Sequence, residues 1–203
     1  MISRTLDIWR RVKAENDGIS AVEFALIAPL MAVIYFGCIE LSFMMTLDRK
    51  VTGAAATLGD LTARASTVNN DDLSDIFEAT RMIMQPNDMT KAHMRITSLA
   101  DDGTATDDGD DDNGVEIAVD WSVRCGTEFP NLADDAEVSI PDNLVPAGGT
   151  IIMAEIKYPY SSPIGFFFNE EKMLSDTFYL RPRRVDSISH DDSTGTLTCG
   201  YTP

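Results

Sequence analysis

Residues 18–42 read GISAVEFALIAPLMAVIYFGCIELS, an apolar run interrupted by charge only at Glu23 and Glu40. The stretch 24–39 carries no charge, and with residues 19–22 it approaches the ~20 residues that cross a bilayer core. The run is therefore expected to be a single membrane-spanning helix, kinked where Pro29 interrupts its hydrogen-bond ladder. A carboxylate inside such a helix is costly and normally has a partner, which marks Glu23 as a functional position. A secretory signal would place a small-x-small cleavage pattern after the apolar region. No clean pattern of that kind follows Ile39, and the charge inside the run argues against it.

The flanks set the orientation. Arg4, Arg10, Arg11 and Lys13 precede the run, partly balanced by Asp7, Glu15 and Asp17. Basic residues dominate the inside rule and carboxylates contribute little. The N-terminus is thus expected in the cytoplasm and the chain from about Asp48 onward outside. Arg49 and Lys50 oppose this only weakly.

A short basic leader ending in Gly18, followed by a helix whose fifth residue is Glu23 and sixth is Phe24, resembles a prepilin. The string AVEFALIAPL is similar to the TadE-like pseudopilins of the Tad (tight adherence) pilus, a branch of the type IV pilus family. The resemblance covers about an eighth of the chain. It implies a leader (residues 1–18) cut on the cytoplasmic side by a prepilin peptidase, between Gly18 and Ile19. It also implies a transmembrane and assembly helix (residues 19–42) and a periplasmic α+β domain (residues 43–203). Glu23 would then be residue five of the mature chain, the position that in pilins pairs with a neighbouring subunit's N-terminal amine. A carboxylate in lipid beside an ammonium on another helix neutralises both and fixes axial register. The partners implied are the peptidase, other Tad pilus subunits, the inner-membrane assembly platform and membrane lipid. The resulting expectation is a minor pilin involved in pilus assembly and surface adhesion, anchored by one span in the inner membrane and incorporated into an extracellular pilus. The alternative is an uncleaved, membrane-anchored assembly or binding protein.

Of the 203 residues, 33 are acidic and 16 basic, a net charge of −17. That balance opposes nucleic-acid binding, which needs clustered Lys and Arg. About 150 residues follow the span, enough for one domain with its own core. Of the three cysteines, Cys38 lies in the apolar run and reads as a small apolar residue. Cys125 ends a predicted strand and Cys199 lies in the tail, and in an oxidising periplasm the two are a candidate disulfide. No cysteine or histidine spacing suggests zinc.

Beyond the span the helix is expected to continue to about Arg64. Leu47, Val51, Ala54, Leu58 and Leu61 form a stripe at three- and four-residue steps, facing the chain's own core; Gly53 and Gly59 weaken this helix. A second helix is expected over residues 71–84, with N-cap candidates Asn69, Asn70 and Asp71 and a stop at Gln85-Pro86. Strands are expected over 92–99, 115–124, 150–158 and 176–184. The second of these alternates Val115, Ile117, Val119, Trp121 and Val123 inward with polar residues outward. Pro182 confines the fourth to an edge or ends it. The expected fold class is α+β, a long N-terminal helix packed on a small antiparallel meander, as in pilins.

Two segments invite sharper readings. Residues 101–114 hold seven aspartates, and Asp108, Asp110 and Asp112 imitate the start of a calcium loop. The register then fails, since the sixth position is Asn113 and the twelfth Val119. No cofactor is expected; a solvated acidic loop is the simpler reading, with calcium as the weaker alternative. Residues 158–168, YPYSSPIGFFF, hold three consecutive phenylalanines that cannot all face one core. They are left to contact a neighbouring subunit or lipid, or to pack under the domain. His93, read as a strand-surface residue, and His190, read as lying in an exposed acidic turn, are the only histidines. With no HxxxH, GxSxG or phosphate-loop pattern, no enzymatic role is expected.

Overall fold

A computed structural model of the chain describes residues 17–101, 117–138, 140–141, 144–145 and 149–199. The elements run α1 (Asp17–Ala63), β1 (Thr67–Asn69), α2 (Asn70–Met82), β2 (His93–Asp101), β3 (Ile117–Cys125), β4 (Thr150–Tyr160), β5 (Lys172–Leu180) and β6 (Ser189–Asp191), with a short 3-10 turn at Met89–Lys91 before β2. The fold class is α+β: a long N-terminal apolar helix followed by a small antiparallel sheet domain. By contact the chain forms two units, Met1–Phe43 with Ser162–Glu170, and Met44–Ser161 with Glu171–Pro203.

α1 is continuous over 47 residues, through Pro29 and through Gly53 and Gly59, about 70 Å at 1.5 Å per residue. Its character changes along its length. Phe24, Leu26, Leu30, Ile34 and Tyr35 are all exposed, whereas Leu47, Val51, Ala54, Ala55 and Leu58 are buried. The predicted stripe is therefore core, apart from Leu61, which is only half-buried. Gly59 faces the sheet, where a Cβ would sit against Leu180 and 3.2 Å from the Ala154 Cβ.

α2 starts at a capping box. The Asn69 side chain accepts from the Asp72 amide at 2.8 Å, and the Asp72 carboxylate accepts from the Asn69 amide at 3.1 Å. Both bonds occupy backbone donors that a helix start leaves free. Leu73 and Phe77 are fully buried on its inner face, each burial stabilising the fold by about 1.5–3 kcal/mol.

The main sheet has the order β3-β2-β4-β5, with every neighbouring pair antiparallel. It is not the expected meander: β4 pairs with β2, so the connection from β3 passes over its neighbour. The last strand starts at Lys172 rather than near residue 176 and ends at Leu180, two residues before Pro182. It is an edge strand, where a proline just beyond the end costs no ladder bond.

One sheet face meets α1 and α2 in the main core, through Met94, Ile96, Ile152, Ala154, Ile156 and Tyr158. The other face holds Leu99, Ile151 and Met153, with Leu132, Ala136, Val138, Ile140, Leu144 and Val145 packed on it. β3 serves both. Its pairing with β2 jumps from Trp121 opposite Ser98 to Val119 opposite Leu99. Asp120 is thus an extra residue, a bulge that reverses the side-chain alternation. Trp121 and Val123 join the helix-facing core and Val119 the opposite one, correcting the expectation that all alternate residues of this strand share one face. Val115 lies outside the described residues.

The tail is held by more than Cys199. β6 pairs in parallel with β1, Ile188 is fully buried, and the Trp121 indole Nε1 donates to the Ile188 carbonyl at 2.6 Å. The Thr196 amide donates to Asp71 at 3.2 Å and the Thr198 amide to Ser74 Oγ at 2.9 Å. Cys125 and Cys199 are disulfide-bonded, with Cα atoms 5.2 Å apart.

Candidate assembly helix and its two carboxylates

The helix start brings Gly18, Ile19 and Glu23 into the first two turns of α1, which begins at Asp17. Residues 1–16, with the basic positions Arg4, Arg10, Arg11 and Lys13, lie outside the described residues. Glu23 is exposed on an apolar helix surface. Among the described residues, no Lys, Arg or His forms an ion pair with it.

The second carboxylate of the run has the opposite environment. Glu40 is fully buried, enclosed by residues 162–168 of the β4–β5 connection. Its Oε1 accepts from the Ser162 hydroxyl at 3.0 Å and the Phe166 amide at 2.6 Å. Its Oε2 accepts from the amides of Phe167 at 2.8 Å and Phe168 at 3.2 Å. Three successive backbone donors converge on one anion, a concave nest of the kind that holds negative charge. Ser162 Oγ in turn accepts from the amides of Ile164 at 3.4 Å and Gly165 at 3.2 Å. Gly165 takes a left-handed φ of +64°, the conformation glycine adopts without steric cost. A Cβ at Gly37 would come within 3.0 Å of the Phe167 ring, so the small residue on α1 makes room for the loop.

Sequence reasoning misses Glu40 because its donors lie 122 to 128 residues away. The only local signs are a carboxylate closing an apolar run and a Ser-Ser-Pro-Ile-Gly turn ahead of three phenylalanines. That loop, placed by sequence within the outer domain, groups by contact with the apolar part of α1.

The histidines belong to the fold. His93 is buried, not a strand-surface residue. Its Nδ1 accepts from the Thr127 amide at 3.3 Å, and burial pushes its pKa down, with the Arg81 and Lys157 charges adding to the shift and Glu128 opposing it. His190 is half-buried in β6 with its ring 5.4 Å from Trp121, rather than in an exposed turn. Asp108, Asp110 and Asp112 lie outside the described residues. Among the described residues no group of three or more His, Cys, Asp or Glu is placed to hold a metal ion.

α1 is long and apolar enough to cross a membrane, and it carries its exposed carboxylate one turn from the Gly-Ile step. Residues 18–58 match the family model of TadE-like proteins. The resemblance read from AVEFALIAPL is thereby shown for this segment. The match begins at the glycine of the expected cleavage site and ends at Leu58, so it spans both the exposed apolar part of α1 and the turns buried in the main core. No curated protein and no solved structure matches the chain.

Proposed function

We propose that this chain is a minor pilin of a Tad-type pilus, a structural subunit without catalytic activity. It is made with a cytoplasmic leader that a prepilin peptidase removes between Gly18 and Ile19. α1 then holds it in the inner membrane with the α+β domain in the periplasm. From there the assembly platform brings it together with other pilus subunits into a filament that serves surface adhesion. The observation that carries this reading is the contrast between the two carboxylates of one apolar helix. Glu40 receives its donors from the same chain, whereas Glu23 is exposed among apolar side chains within the segment that matches TadE-like proteins. A carboxylate in that setting is costly and normally has a partner, and cleavage after Gly18 creates an ammonium for that role at Ile19 of a neighbouring subunit.

Glu23→Ala should leave processing intact and abolish filament assembly. Removing one member of a buried ion pair costs about 3–5 kcal/mol per contact, and the cost recurs at every subunit. Glu23→Asp should assemble partially. Immunoblots for the processed form together with filament counts by electron microscopy read both effects. Normal piliation by the Ala variant would remove Glu23 from the assembly contact.

A further inference from the structure

We propose that the β4–β5 loop is a second membrane contact: Ile164, Phe166 and Phe167 insert into the outer half of the bilayer beside α1 while the subunit is held in the membrane. The inference rests on the reading of α1 as a membrane span.

These three side chains are 43%, 57% and 49% exposed, an apolar tip in a chain of net charge −17. The tip is continuous with the apolar surface of α1. The Phe166 ring lies 6.4 Å from that of Phe36, and Phe167 packs on Gly37. Counting from Ile19, Phe36 lies about 26 Å and Glu40 about 32 Å along the helix at 1.5 Å per residue. A bilayer's hydrocarbon core is about 30 Å thick. The rings therefore sit at the level where the core gives way to the outer headgroups, the depth at which interfacial apolar side chains bury.

Irregular backbone is excluded from lipid chiefly because its amides lack partners. In this loop the amides have partners. Those of Ile164 and Gly165 donate to Ser162 Oγ, and those of Phe166, Phe167 and Phe168 donate to Glu40. Pro163 has no amide hydrogen to satisfy. The same bonds explain how a glutamate is accommodated at the end of a span: its charge is covered by four donors before it meets lipid. A loop exposed only to water would gain nothing from hiding five successive amides while presenting three large apolar side chains.

The test places a tryptophan in the loop of the full-length chain. Phe166→Trp is made in a Trp9→Phe background, where the remaining Trp121 is buried in the domain. The protein is reconstituted into phosphatidylcholine–phosphatidylglycerol vesicles, with lipids brominated either near the glycerol end or near the methyl end of the chains. Tyr35→Trp in the same background, on the exposed surface of α1, is the helix reporter. The expected result for Phe166→Trp is blue-shifted emission, quenched more strongly by the shallow bromines than by the deep ones, with Phe167→Trp behaving alike. Adding Glu40→Leu should abolish quenching of either loop reporter by releasing the loop amides, while the helix reporter remains quenched. If the helix reporter is quenched and neither loop reporter is, the loop proposal is overturned and the span reading stands. If no reporter is quenched, both fall. A loop signal that ignores lipid but changes with subunit density would assign the tip to a second copy of the chain instead, against the proposal.

Discussion

Phe77→Ala is expected to lower the unfolding free energy of the α+β domain by about 3–5 kcal/mol. Phe77 is fully buried in the core that joins α1, α2 and the sheet, so its loss leaves a cavity lined by groups from three elements. Natural domains are stable by only about 5–15 kcal/mol, and the variant should be close to unfolding at growth temperature. Met82, the last residue of the same helix, is 55% exposed, and Met82→Ala should shift stability by no more than about 0.5 kcal/mol. Denaturant titration in detergent, followed by near-ultraviolet circular dichroism, separates the two. Equal losses would mean that α2 does not seal the sheet with the face described.

Loss of the Cys125–Cys199 bond is expected to be comparably large. The bridge closes a loop with a sequence separation of 74, and the chain-entropy argument assigns such a loop about 4 kcal/mol, acting through the unfolded state. The paired replacement Cys125→Ala/Cys199→Ala avoids leaving a reactive thiol. It should lower the melting temperature to the value the native chain shows in reductant. The tail should not come free as a whole. Ile188, the Trp121–Ile188 hydrogen bond and the β1–β6 pairing hold residues 188–191 independently of the bridge. Hydrogen exchange should therefore rise sharply at residues 196–199 and much less at 189–191. Uniform loss of protection from Val185 onward would show the disulfide to be the tail's sole anchor.

What is readable in the sequence and what is not divides along the range of the interactions. α1 and α2 follow from local periodicity and capping, and Asn69 with Asp72 is a signal written within four residues. The four strands of the main sheet are also located by sequence, β3 by its alternation, though the start of β5 at Lys172 is not. Their order is not: β2 joins β3 on one side and β4 on the other, a choice made by which apolar faces meet once the helices are in place. The Asp120 bulge is hidden for a related reason, since a one-residue insertion is defined only against its partner strand. Val119 and Trp121 look equivalent in sequence and end on opposite sides of the sheet. The short β1 and β6 carry too few residues to show a period. In the helix, Glu23 stands out because the family pattern surrounds it. Glu40 does not, because its meaning lies in backbone amides more than 120 residues later.

One apolar helix thus carries a charge near each end. Glu40 is completed within the chain, and in the proposed reading Glu23 is left for a partner that exists only after the leader is removed. The family match begins at the residue where that removal is expected. The decisive measurement is mass spectrometry of the chain's N-terminus after co-expression with a prepilin peptidase. The expected product is a protein that begins at Ile19. Its mature charge would be −18, since the removed leader carries four basic and three acidic residues out of a chain of net −17. A chain still beginning at Met1, or cut anywhere other than between Gly18 and Ile19, would contradict the reading of this protein as a processed pilin.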